Sequence, residues 1–93
     1  MTYHIKFTNA YKKSYKRAKK RGLNLKLLDD VVEALGQGHK PDAKYRDHAL
    51  HGNWEGFREC HIQMDWLLIY LVENDVLTLT LVETGTHADI FDE

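Results

Sequence analysis

The chain has one cysteine, one proline and six glycines in 93 residues. A lone Cys60 cannot close an intrachain disulfide or build a thiolate metal centre, and its solitary use fits a cytosolic protein. So little Pro and Gly excludes a linker or a disordered tail. No apolar run approaches the ~18 residues that a membrane-crossing helix needs, and Met1-Thr2-Tyr3-His4 lacks the apolar segment of a secretory signal. Acids are missing from the first third: residues 1–28 carry nine Lys/Arg and none, whereas residues 29–93 carry four Lys/Arg and all 14 Asp/Glu. The net charge of −1 therefore hides a local positive field. Such a field attracts a polyanion, although a basic helix can also be a plain solvated surface.

What is present suits one domain over residues 1–93 with a modest core. Apolar residues make up 43%, including two Trp, three Phe and five Tyr. Residues 3–7 alternate as a short strand. Thr8 or Asn9 caps a helix whose inner face carries Tyr11, Tyr15, Ala18 and Gly22, with Gly22 as its stop. Asn24 caps a second helix with Leu25, Leu28, Val31, Val32 and Leu35 on one face, ended by Gly36 and Gly38. The short link predicts a helical hairpin. Residues 39–46, with Pro41, read as a loop. Strands are predicted at 54–62, 66–72 and 76–83, with Leu77, Leu79 and Leu81 on one face of the last. Residues 87–92 form a short terminal turn or helix. The fold class is α+β: an N-terminal strand, a helical hairpin, an antiparallel β-meander packed on the helices, and a short C-terminal helix.

Six histidines are many for this length. His48, His51, His61 and His87 lie in the β half near strand ends, while His4 and His39 stand apart. Histidine both gives and takes protons near neutral pH. In a meander the start of strand 66–72 lies beside the end of strand 76–83, so Asp65, Trp66, His61 and His87 are expected at one end of the sheet. Such a cluster could cleave RNA through its own 2′-OH, with one group as base, one as acid and a donor for the charged phosphorane. Each residue also has an ordinary reading: a surface histidine, a turn aspartate, a core tryptophan.

The stretches Tyr45-Arg46-Asp47-His48-Ala49-Leu50, Gly52 to Arg58, Cys60-His61-Ile62, Asp65 to Tyr70, and Thr84-Gly85-Thr86-His87 through Phe91 together resemble the YafQ branch of the RelE-type toxins. The likeness is detailed in the C-terminal half and extends to the helical half in layout. It implies a messenger-RNA interferase working in the ribosomal A site without metal or cofactor. It also implies a cognate RelB/DinJ-like antitoxin, with DNA contacted only through that complex. Carried over position by position, His48, His61, Asp65 and His87 match the acid–base residues. Trp66 and Phe91 match residues that shape the substrate site, Phe91 as a stacking surface for a base. Lys12, Lys13, Lys16 and Arg17 are the candidate surface for ribosome and antitoxin. One position departs: relatives can carry Arg before the Thr-Gly-Thr-His run, where this chain has Glu83. Arg58 is the substitute phosphate donor, although strict alternation sets it on the face opposite His61. Two rivals remain: a metal-dependent hydrolase, disfavoured because no two histidines have the i, i+4 spacing of a helical zinc site, and a non-catalytic RNA- or protein-binding module.

Overall fold

The computed structural model describes residues 2–91. Its elements run β1 (His4–Phe7), α1 (Asn9–Lys20), α2 (Leu25–Gly36), β2 (His48–Ala49), β3 (Arg58–Gln63), β4 (Trp66–Glu73), β5 (Thr78–Gly85) and α3 (His87–Phe91), with 3₁₀ turns at Ala43–Tyr45 and Gly52–Trp54. Five strands form one sheet in the order β1-β5-β4-β3-β2. The sheet is mixed: β1 lies parallel to β5, and the other neighbours are antiparallel. The expected α+β class and meander are present. The placement of β1 beside the last strand is a long-range pairing that no local pattern encodes. Among the described residues no helix is long and apolar enough to cross a membrane.

Both helices start where their caps stand. Thr8 Oγ1 accepts from the Tyr11 amide at 3.0 Å, and Asn24 Oδ1 from the Lys26 amide at 3.2 Å. Each bond satisfies one of the donors that a helix start leaves unpaired. Arg21 closes α1, and Gly22 follows with φ +75°. Tyr11 and Ala18 of α1 join Leu28, Val31, Val32 and Leu35 of α2 over one face of the sheet. From the sheet come Cys60, Ile62, Trp66, Leu68, Tyr70, Leu79 and Leu81. The Tyr15 hydroxyl ties the two helices by donating to the Asp29 carboxylate.

Three expectations change. The strand predicted at 54–62 begins only at Arg58, because Gly52 (φ +68°) and Gly56 (φ +94°) turn the chain around Trp54. The strand predicted at 76–83 is shifted to Thr78–Gly85. Leu77 falls in the preceding turn with φ +46° and is 40% exposed, so it leaves the inner face. A bulge between Ile69 and Tyr70 in the β4–β5 register breaks the alternation of β5 after Leu81 and turns Thr84 inward. Position 92 of the predicted terminal turn lies outside the described residues.

The C-terminal end of β5 is locked by buried polar bonds. Thr84 is fully buried. Its Oγ1 accepts from Trp66 Nε1 at 2.9 Å and donates to the Leu67 carbonyl at 2.7 Å. Its amide donates to Ser14 Oγ at 3.1 Å, and Arg17 Nη2 donates to its carbonyl at 3.2 Å. Ser14, which periodicity left off the inner face of α1, is buried for this contact. Beyond Gly85, Thr86 and Asp89 cap α3 reciprocally: the Thr86 amide donates to Asp89 Oδ2 at 3.0 Å, and the Asp89 amide to Thr86 Oγ1 at 3.1 Å. Arg21 Nη1 reaches Asp89 Oδ2 at 2.6 Å. A Cβ at Gly85 would stand 2.8 Å from Arg17 Nη2 and 3.0 Å from Asp89 Cβ, so a side chain there would displace both of these contacts to the end of β5.

Thr84→Val keeps the shape but strips the acceptor from the buried Trp66 N–H. It should cost about 1–3 kcal/mol in urea-unfolding free energy, and a loss under ~0.5 kcal/mol, the scatter of ordinary surface changes, would refute this role. The Arg21 guanidinium and the Thr86 amide hold the Asp89 carboxyl well below the usual carboxylate range. A carboxyl depressed in the folded state adds stability above its unfolded pKa of ~3.9 and loses it as pH falls through the folded value. The protection factor of the Ile90 amide, which bonds the Thr86 carbonyl at 3.1 Å, should therefore fall in acid below the usual carboxylate range. In Asp89→Ala it should be low already at pH 7, and unchanged protection there would sink the capping account.

Candidate active site

The sheet face opposite the helices carries the chemistry. Register settles which residues share it. His48 of β2 lies opposite Glu59 of β3, Glu59 opposite Ile69 of β4, and Ile69 opposite Glu83 of β5. The next row is His61, Leu67 and Gly85. At the edge of these rows the two-residue turn Met64–Asp65 joins β3 to β4, with Asp65 at φ +53°, a conformation that aspartate tolerates. The first turn of α3 starts beside it.

Asp65 and His87 meet here. Asp65 Oδ1 accepts from the His87 backbone amide at 3.1 Å and lies 2.8 Å from His87 Nδ1. These two contacts hold the Asp65 carboxyl below its ordinary range. A carboxylate only accepts, so the proton of the neutral imidazole sits on Nδ1 and Nε2 is left to exchange protons. Imidazoles continue from there, with ring centroids 6.1 Å apart for His87–His61 and 5.9 Å for His61–His48. His48 Nδ1 lies 2.9 Å from the Arg46 carbonyl, which orients its ring in the same sense. An aromatic wall flanks the group: Phe91 lies 6.1 Å from His87 and 5.5 Å from Trp54, and Trp54 stands 5.7 Å from Phe57.

The structure thus gathers His48, His61, Asp65, His87 and Phe91 at one end of one face. It does not put Trp66 and Arg58 with them. Trp66 lies on the helix-covered face at 3% exposure, and its indole is spent on Thr84, so it supports the site from beneath without lining it. Arg58 obeys the alternation of β3. It sits opposite Tyr70 on the helix side, and Asp47 takes its guanidinium through Nη2 at 2.6 Å and Nε at 3.0 Å. Tyr70 OH donates to the same carboxylate. Arg58 is therefore held on the face away from the imidazoles. On α1, Lys12, Lys13 and Lys16 are exposed, whereas Arg17 is half-buried against Thr84 and Asp89.

One residue of the site was missed. Glu59 is 4% exposed and its Oε1 lies 3.5 Å from Nε2 of both His48 and His61. The three form the one group among the described residues whose donor atoms are spaced to hold a metal ion. The available signal was the Glu59-x-His61 spacing, which in a strand puts both on one face. His48 required the short β2 pairing to join them. Glu83 shares their row. Burial pushes its carboxyl up, Arg17 opposes the shift and Asp89 adds to it.

Known proteins share this fold. The chain is 36% identical over 88 residues to the mRNA interferase toxin YafQ of Escherichia coli strain K12, with 94% of each chain covered. It is similar to the E. coli DinJ–YafQ toxin–antitoxin complex, at TM-score 0.89 and 34% identity over 98% of this chain and 99% of that one. A metal-bound toxin from Helicobacter pylori superposes at TM-score 0.88 with 38% identity, over 98% of this chain and all of the other. The family description "Bacterial toxin of type II toxin-antitoxin system, YafQ" matches residues 3–92, and the chain belongs to that family of toxins.

Proposed function

We propose that this toxin is an endoribonuclease that cuts messenger RNA in the ribosomal A site by metal-independent acid–base catalysis. The observation that carries the reading is His87, fixed through its amide and its Nδ1 on Asp65 Oδ1. In the protonated ring Nδ1–H stays on Asp65, and Nε2–H is the proton handed to a leaving oxygen. The name of the E. coli relative, an mRNA interferase, supports the substrate class.

The imidazole pair His48–His61 removes the 2′-OH proton. The alkoxide attacks phosphorus, the bond from phosphorus to the 5′-oxygen breaks, and that oxygen takes the His87 proton. The products are a 2′,3′-cyclic phosphate and a 5′-hydroxyl, and no water enters this step. Phe91, in the wall with Trp54, stacks on a base. Lys12, Lys13 and Lys16 contact ribosomal phosphates. The same region takes the antitoxin: Ile5, Phe7, Tyr11, Tyr15 and Val32 line a groove of about 610 Å³ that also carries Lys12 and Lys16 of α1 and Asp29 and Glu33 of α2. An apolar floor with charges of both signs beside it fits an amphipathic segment, and the E. coli relative is found in complex with its partner DinJ.

On programmed ribosomes, single-turnover cleavage by His87→Ala should fall by ~10²–10⁴-fold, the usual worth of a general acid. Its circular dichroism should be unchanged. Full activity in the folded variant would overturn the assignment, and no cyclic-phosphate product from the unsubstituted chain would favour a non-catalytic binding module. Glu83 puts a carboxylate on the site face where relatives can carry a cation, and it repels the phosphorane. Glu83→Arg should raise kcat about tenfold, a modest part of the ~10²–10³ that one well-placed donor supplies. A decrease would show that Glu83 is needed in the reaction.

A further inference from the structure

We propose that Asp47, gripped by Arg58 and Tyr70 on the helix-covered side of the sheet, is a positioning residue for His48 on the other side, fixing the short strand β2 and with it the direction of the His48 imidazole. The effect on cleavage rests on the nuclease reading above; the control of ring direction does not.

β2 has little of its own to hold it. It has two residues, lies at the edge of the sheet and buries neither side chain. Strands in folded proteins usually run ~3–10 residues. Pairing this short leaves a half-exposed ring underdetermined, yet His48 Nε2 stands 3.5 Å from Glu59 Oε1, on the same row as the rest of the site.

The further constraint comes through the sheet. Neighbouring residues of a strand point to opposite faces. His48, opposite Glu59, faces the imidazoles, so Asp47 faces the helix side. Arg58 stands opposite Ala49, and Tyr70 opposite Arg58. Asp47 thus lies diagonally across from Arg58, within reach of a long side chain. Both carboxylate oxygens are used. Oδ2 accepts from Arg58 Nη2 at 2.6 Å and from Nε at 3.0 Å, and Oδ1 accepts from the Tyr70 hydroxyl. Burial and the bond to Asp47 push that hydroxyl above its ordinary range, so it stays a donor. The residue before His48 is therefore tied to both β3 and β4.

Arg46 completes the device. Its φ of 47° and ψ of 47° lie in the left-handed region, which a non-glycine residue keeps only when its surroundings enforce it. Its amide donates to the Ala43 carbonyl at 3.0 Å on one side, and Asp47 anchors the other. The Arg46 carbonyl lies 2.9 Å from His48 Nδ1. A carbonyl only accepts, so the neutral ring carries its proton on Nδ1 and presents the Nε2 lone pair to the site. The plainer alternative is an ion pair that only stabilises the fold. With the Arg58 side chain 41% exposed and that of Asp47 14%, such a pair contributes little stability. A fully satisfied polar network does, however, rigidify the segments it joins.

Nitrogen NMR of the imidazoles reports which ring nitrogen carries the proton. In the unsubstituted chain His48 should be the Nδ1-protonated tautomer. In Asp47→Asn it should become a mixture, while the His87 signals stay where they were. On programmed ribosomes the same variant should lose about 10²-fold in single-turnover rate, the scale of a misplaced reacting group, with the half-saturating concentration unchanged. Arg58→Lys should recover part of the rate lost in Arg58→Leu, because it restores the charge without the planar fork. If Asp47→Asn does not fold, the near-isosteric Tyr70→Phe carries the test and should move the His48 signal in the same direction. An unchanged His48 tautomer in a folded variant, or His48 and His87 signals that move together, would overturn the positioning role. A changed tautomer with an unchanged rate would remove its effect on cleavage. An unsubstituted chain that never cuts would remove the nuclease reading, and the tautomer comparison would still decide whether Asp47 sets the ring.

Discussion

The structure depends most on the hydrogen bonds that converge on Thr84. This residue is wholly buried, yet its amide, carbonyl and hydroxyl all have partners, contributed by α1, by β4 and by the indole of Trp66. Burying so many polar groups would cost several kcal/mol if they were unpaired. The end of β5 therefore has few alternative positions. Gly85, Thr86 and α3 follow directly, and with them His87 and Phe91. The basic helix contributes twice, through Arg17 on the Thr84 carbonyl and through Arg21 on Asp89. An element suited by charge to RNA or to an acidic partner is thus also part of what positions His87.

The sheet divides its labour between faces. Helices cover the face with Leu68, Tyr70, Leu79 and Leu81, and that side supplies the main core. The other face carries the rows His48–Glu59–Ile69–Glu83 and His61–Leu67–Gly85. Leu67 and Ile69 in those rows are fully buried, so the ionisable groups stand at the margin of an apolar surface. Electrostatic interactions there are stronger than in open water. Both Glu59 and Glu83 are acidic, and the one arginine of β3 is turned away. This face therefore offers imidazoles and carboxylates, the donor types of Glu59, Glu83, His48 and His61.

Much of this was legible along the chain. Helix boundaries followed from Thr8, Asn24 and Gly22, because caps and stops are local chemistry. The central strand followed from residues 66–72, and the meander from the turns around it. Antiparallel neighbours joined by short turns predicted that Asp65, His61 and His87 would gather at one end. Strand parity alone set Arg58 on the face opposite His61, and the structure agrees.

What the sequence by itself determined was local: caps, turns, and the face on which each strand residue lies. Tertiary structure decided whatever required residues distant in sequence to meet. The parallel pairing of β1 with β5, the bulge that turned Thr84 inward, and the two-residue strand that set His48 against Glu59 are of this kind. Trp66 shows the difference in one residue. Its resemblance to a site-lining tryptophan was visible in the sequence, but its burial on the helix side depends on Thr84, 18 positions away. Parity along one strand is a property of the backbone, whereas register across strands comes from packing the whole core, and it is register that brought a buried glutamate between two histidines.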